Sequence, residues 1–340
     1  MTRRSFRSVS LATGFGLAML LSFSADDASA YCQMTTQGGQ QIGDEPCVEI
    51  GEPLVWANPC LSYAIDERGS FWMDYGDIEN AVHAAFETWE TAECSGGVSP
   101  NLVFQPSMVP STCKRAEYNT VGNVSTIAFL DPWENPCADE LDLLPYDSRA
   151  FAVTIVWYNE ETGQILDADM MINDEEFVPG RGAGGPYADC SVSVCDGIYA
   201  DLQGIVTHEA GHFIGIGHCK PDDVNDPDDP CFVATMFASA ERNAISKRDL
   251  APDDLAAVCD IYPPGNLSDS CIATQIGGLQ LNCETDGNGN ELACKAPGST
   301  GSSGGCSTAQ NPADASWATL LALIGLTVTR RRSAGRGARS

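Results

Sequence analysis

Apolar and polar positions alternate regularly only in the middle of the chain; the two ends have a different texture. Ile78, Val82, Phe86 and Trp89 recur at helical spacing, which predicts a helix to about Glu90 with one buried stripe. Asp77 stands where a cap would serve it, and Glu79 suits the positive end of the helix dipole. His83 lies beside the stripe and reads as a surface or boundary residue. Runs rich in β-branched and aromatic residues at 61–65, 102–104, 126–130 and 151–158 read as strands separated by Pro, Asn and Asp. Residues 166–173 give another strand, and the glycines and prolines from Pro179 to Pro186 a long loop. A helix is expected over about 199–214, and a closing one over 252–262 that Pro263-Pro264 stops. The fold class is α+β.

The ends divide the chain further. Residues 1–30 carry Arg3, Arg4 and Arg7, an apolar run from Val9 to Phe23, and Ala28-Ser29-Ala30, the pattern of an export signal cleaved before Tyr31. Thr2-Arg3-Arg4-Ser5-Phe6 also resembles a twin-arginine signal, which leaves the export route open. Residues 31–51 are Gln/Gly-rich and form a loose leader held by Cys32 and Cys47. The main domain spans 52–264. Residues 265–305, with Cys271, Cys283 and Cys294 among Gly, Ser and Asn, have few core residues and read as disulfide-held coil or a stalk. In residues 306–340, Cys306 precedes an apolar run from Trp317 to Val328 and Arg330-Arg331-Arg332. That run is short for a spanning helix, which needs about 20 residues. The arrangement resembles the C-terminal sorting tags of myxobacteria; a plain membrane anchor is the other reading.

Composition narrows the class. The net charge of −29 makes nucleic acid an unsuitable partner, and membrane or surface attachment is expected only through the C-terminal segment. Fifteen cysteines without C-x-x-C pairs suit disulfides in an oxidising compartment, so a secreted or outer-surface location is expected. Cys306 is the odd one out.

Candidate chemistry is concentrated in one stretch, from His208 to His218. The chain has 4 histidines, and His208, His212 and His218 are three of them. His208 and His212, four apart, share one face of a helix and can bind one metal ion, with Glu209 beside them to hold a water. Gly215 lets the helix stop and the chain turn, which returns His218 as a third nitrogen ligand. Three protein ligands leave one zinc position open, the mark of a catalytic site.

This H-E-x-x-H-x-x-G-x-x-H stretch resembles the zinc signature of the metzincin metalloproteases, and Met236 in Ala234-Thr235-Met236-Phe237-Ala238 resembles their Met-turn. Ala85-Phe86-x-x-Trp89, the Ala-Asp-x-x-Ile-Asn strand at 168–173 and the Asp-Asp-Leu…Ile-Tyr helix ending at Tyr262 resemble the matrixin branch over about 52–264. The resemblance implies a twisted mixed sheet with an active-site helix and a C-terminal helix. It also implies catalytic Zn2+ on His208, His212 and His218, Glu209 as general base, and a protein or peptide substrate extended along an edge strand. Cys219 stands where matrixins commonly carry Ser, and the histidines of their second zinc are missing.

Asp222, Asp223, Asp226, Asp228 and Asp229 follow the third histidine. An oxygen-rich loop of this kind can cage Ca2+, and a solvated acidic loop is the alternative. Cys219 and Cys231 bracket that loop and are expected to bond; a free Cys219 thiolate on the metal is the competing idea. Two functions are carried forward: a zinc endopeptidase, and a non-catalytic surface adhesion module on the same scaffold. The intact Glu209 speaks for the first.

Overall fold

A computed structural model describes residues 31–37, 47, 50–118, 122–135, 145–177, 184–192, 195, 198–221, 225–226, 228–265, 271, 281–283 and 327–328. The expected export signal, Cys294 and Cys306 lie outside the described residues, as do Asp222 and Asp223.

The elements run β1 (Cys60–Ile65), α1 (Tyr75–Glu90), β2 (Val103–Pro106), β3 (Ser125–Leu130), β4 (Ala152–Tyr158) and β5 (Ile165–Asn173). Two short strands, β6 (Tyr187–Ala188) and β7 (Ala200–Asp201), lead into α2 (Leu202–Phe213), and α3 (Pro252–Ile261) follows later. The main sheet has the order β2-β1-β3-β5-β4. β2, β1, β3 and β5 run parallel to one another, while β4 runs antiparallel to β5 at the edge.

Both faces of the sheet are covered. On one side Phe86 of α1 stacks on Tyr63 at 4.2 Å and meets Phe213 of α2 edge-on at 5.4 Å. On the other side Ala128, Leu130, Val153, Ile155, Trp157 and Met171 form a second apolar cluster with Trp133 and Tyr146. This explains why β3 is apolar along most of its length instead of alternating: a strand covered on both faces has no solvent side.

Strand positions follow the sequence reading to within a residue or two, and the closing helix starts at Pro252 as expected, whereas the starts of α1 and α2 differ. α1 begins at Tyr75, with Asp74 at the cap position and Asp77 already in the first turn, so Asp77 is not the cap. α2 begins at Leu202, where the Asp201 carboxylate accepts the Gly204 N–H at 2.8 Å. His83 is exposed, as expected.

The leader is not loose throughout. Met34 is fully buried, and its N–H donates to Gly215 O while Gly217 N–H donates to Cys32 O, at 2.9 and 2.6 Å. Burial of Met34 supplies the apolar energy that the Gln/Gly composition farther along conceals. Among the described residues six disulfides close: Cys32–Cys47, Cys60–Cys271, Cys94–Cys259, Cys113–Cys283, Cys190–Cys195 and Cys219–Cys231. The described part of the C-terminal coil is tied to the sheet: besides its cysteines, Leu281 O accepts Thr112 N–H at 2.8 Å.

Candidate metal centre

α2 places His208 and His212 one turn apart on the same face. The helix ends at Ile214, and Gly215 takes φ +90° to turn the chain, where a Cβ would stand 2.4 Å from Leu54 O. That turn returns His218. His212 Nε2 lies 3.2 Å from Nε2 of both His208 and His218, and all three imidazoles are at most 4% exposed.

The outer nitrogens fix the tautomers. His208 Nδ1 is 2.6 Å from Thr235 O and His212 Nδ1 is 2.7 Å from Ile216 O. A carbonyl only accepts, so each Nδ1 carries the proton and each Nε2 turns a lone pair inward. Nitrogen lone pairs meeting at this distance repel unless a cation stands between them, so the residues present fit a metal ion. Burial holds all three imidazoles well below their usual pKa, His212 at about 3, which keeps them neutral as ligands must be. His218 Nδ1 has no hydrogen-bond partner among the described residues.

Glu209 is fully buried and faces β4, where Thr154 Oγ1 donates to its Oε2 at 2.7 Å. This contact between helix and edge strand was not visible in the sequence, because Thr154 lies 55 residues away in a strand that reads as plain core.

Beneath the triad runs the turn at Met236. A Cβ on Gly211 would fall 2.2 Å from Met236 Sδ, so the helix needs glycine there for the thioether to approach. Asp254 of α3 accepts N–H groups of Thr235 and Met236 at 2.7 and 2.9 Å. Burial raises the pKa of Asp254 and pushes the Lys247 ammonium down to about 7. Asp254 was legible within the Asp-Asp-Leu motif; Lys247 carried no signal at all.

Cys219 is bonded to Cys231, which removes the thiolate-on-metal alternative. Cys219 N–H also donates to Met236 O at 2.9 Å, tying the exit from His218 to the turn below. In the acidic loop Asp226 and Asp229 accept N–H groups of Asp228 and Cys231, each at 3.0 Å, while Asp222 and Asp223 lie outside the described residues. Two other clusters, Cys113–Glu117–Cys283 and Cys219–Cys231–Asp253, have the spacing for a metal, but their sulfurs are in disulfides.

A mixed five-stranded sheet over a helix bearing a histidine triad is compatible with a metzincin-like domain. No family model matches the chain. It is similar to the metalloendoproteinase 1-MMP of Arabidopsis thaliana, with 24% identity over 216 residues. The match covers 63% of this chain and 46% of the plant protein, so the chain spans about half the length of the curated relative it matches. The relationship is distant and matrixin-like.

Proposed function

We propose that the protein is a secreted or surface-attached zinc endopeptidase that hydrolyses peptide bonds of proteins. The convergence of three neutral imidazole nitrogens beside Glu209 carries this reading. His208, His212 and His218 would hold the zinc; when bound, zinc supplies a Lewis acid that activates a water and polarises the scissile carbonyl. Glu209 takes the proton of the attacking water and returns it to the leaving amine. Thr154 holds one carboxylate oxygen of Glu209 by a hydrogen bond, which fixes the carboxylate against β4. The edge position of β4 suits an extended substrate that pairs by strand addition. The plant relative, by its name a metalloendoproteinase, supports the reaction class. Export by residues 1–30 and retention or sorting by 306–340 complete the proposal.

The test is hydrolysis of an unfolded protein and of quenched peptides by wild type and Glu209→Ala, with zinc content measured in both. Wild type should lose activity to a chelator. The variant should keep zinc while losing about 10²–10⁴-fold or more in rate. Unchanged turnover in Glu209→Ala would refute the mechanism, and absence of bound zinc would refute the metal.

A further inference from the structure

The turn at Ala234–Phe237 aims three backbone carbonyls at one point, and the ammonium of Lys247 sits there. Lys247 Nζ donates to Ala234 O, Thr235 O and Phe237 O at 3.0, 3.0 and 2.6 Å. An ammonium has three donors and no acceptor, so one short turn uses its whole hydrogen-bonding capacity. The side chain is 7% exposed, and the ion pairs of the described residues do not include it. An apolar side chain of similar length would fill the space without desolvating a charge. The three donors therefore serve the carbonyls, and the Asp254 carboxylate supplies an opposite charge nearby.

We propose that Lys247 is a positioning residue of the metal centre, which gathers these carbonyls and so fixes the Thr235 oxygen that orients His208. This rests on the reading of the triad as a zinc site. Thr235 O accepts from both His208 Nδ1 and Lys247 Nζ, one bond for each of its lone pairs. Asp254 holds the N–H groups of Thr235 and Met236, so a cation grips the turn by its oxygens and an anion by its hydrogens. The base of the Lys247 side chain packs on the first turn of α2: a Cβ on Gly204 would stand 3.4 Å from Lys247 Cβ. The residue thus joins the first turn of the ligand-bearing helix to the carbonyl that sets the tautomer and aim of its first ligand. Partners of this kind behind a ligating histidine alter metal affinity without touching the metal.

The experiment compares wild type, Lys247→Met and Lys247→Gln, with Arg242→Met as control. Arg242 is a second buried cation, stacked on Phe177 at 3.8 Å and bonded to Gly184 O and Ile198 O, away from the turn. Zinc affinity is measured by chelator competition, and ligand geometry by the visible spectrum of the Co2+-substituted protein. Lys247→Met should lose about 10–100-fold in zinc affinity and shift the Co2+ bands. Its kcat should fall while KM for a short peptide stays within about twofold. Lys247→Gln, which keeps two donors, should lose less; if Lys247→Met fails to fold, the glutamine variant decides by the same readouts. Arg242→Met should lower thermal stability yet keep wild-type affinity and spectrum. A folded Lys247 variant with wild-type affinity and spectrum would overturn the positioning role and leave the zinc reading standing. Equal losses in Arg242→Met would also overturn it, as general loosening. Wild type that takes up no metal would refute the zinc reading itself.

Discussion

Gly211 occupies the middle of the helix that carries the histidines, where alanine would ordinarily be the better helix former by about 1 kcal/mol. At this position the gain should be reversed. The added methyl would lie 2.2 Å from Met236 Sδ, 2.9 Å from its Cε and 2.9 Å from Trp89 Cζ2. Trp89 is fully buried and its indole N–H donates to Thr207 O at 2.8 Å, so the ring cannot swing aside without giving up that bond. Forcing a methylene-sized group into a filled core costs about 1–3 kcal/mol, and separations this far inside contact distance place the strain at the upper end. After the propensity gain is deducted, Gly211→Ala should destabilise by ~2 kcal/mol. Met236→Ala alone should cost about 2–5 kcal/mol through lost burial and a cavity. The two together should cost less than their sum by about 1–3 kcal/mol, because the new methyl enters the space the thioether has left. Urea unfolding of the metal-depleted, disulfide-intact protein measures all four corners of the cycle without contributions from ligand binding. An alanine at 211 that is neutral or stabilising, or a strictly additive cycle, would refute the packing argument.

Thr154→Val keeps the shape of the β4 residue and removes the hydrogen bond to Glu209 Oε2. A bond to a charged group is worth about 1.5–3 kcal/mol, so the acid limb of the pH–rate profile should move up by about 1–2 units, and Thr154→Ser should restore it; an unshifted limb would contradict the role. Replacing Cys219 and Cys231 by Ser opens a loop of sequence separation 12, which should cost about 3 kcal/mol in thermal unfolding and weaken zinc retention. Burial pushes the Asp167 carboxyl up to about 7, and Asp169 beside it is held well above the usual carboxylate range by burial and by Asp167. A carboxyl with a raised folded pKa contributes stability fully below about pH 4 that is lost as pH rises through 7. Asp167→Asn should therefore be more stabilising at pH 8 than at pH 5, and melting curves with a constant difference would exclude this.

The histidine triad was legible because its members lie within eleven consecutive residues, where helix period and one glycine turn determine their meeting. The strands were legible because both faces of the sheet are covered and their apolar runs are continuous. What supports the site was not. Thr154, Lys247 and Thr235 act through backbone oxygens or single side-chain contacts across the fold, and no local pattern marks such residues. Met34 was hidden by the Gln/Gly-rich residues that follow it, and its value appears only once Gly215–Gly217 is present to pair with its neighbours. Asp167 and Asp169 read as ordinary strand residues, yet they face inward and take hydrogen bonds from Ser125 Oγ and Thr126 N–H.

Three of the disulfides, Cys60–Cys271, Cys94–Cys259 and Cys113–Cys283, span separations of 211, 165 and 170 residues. Each joins a residue before 114 to one after 258, so every peptide bond between those limits is bridged three times over. A single nick anywhere in that interval, by the protein itself or by a neighbour, leaves two fragments that cannot diffuse apart. β1, β2 and α1 stay on the same covalent body as α3 whichever bond is cut. A nicked molecule should migrate as one band without reductant and as two with it. In a protease-rich surrounding the chain can thus take one cut in a loop and still be a single covalent particle.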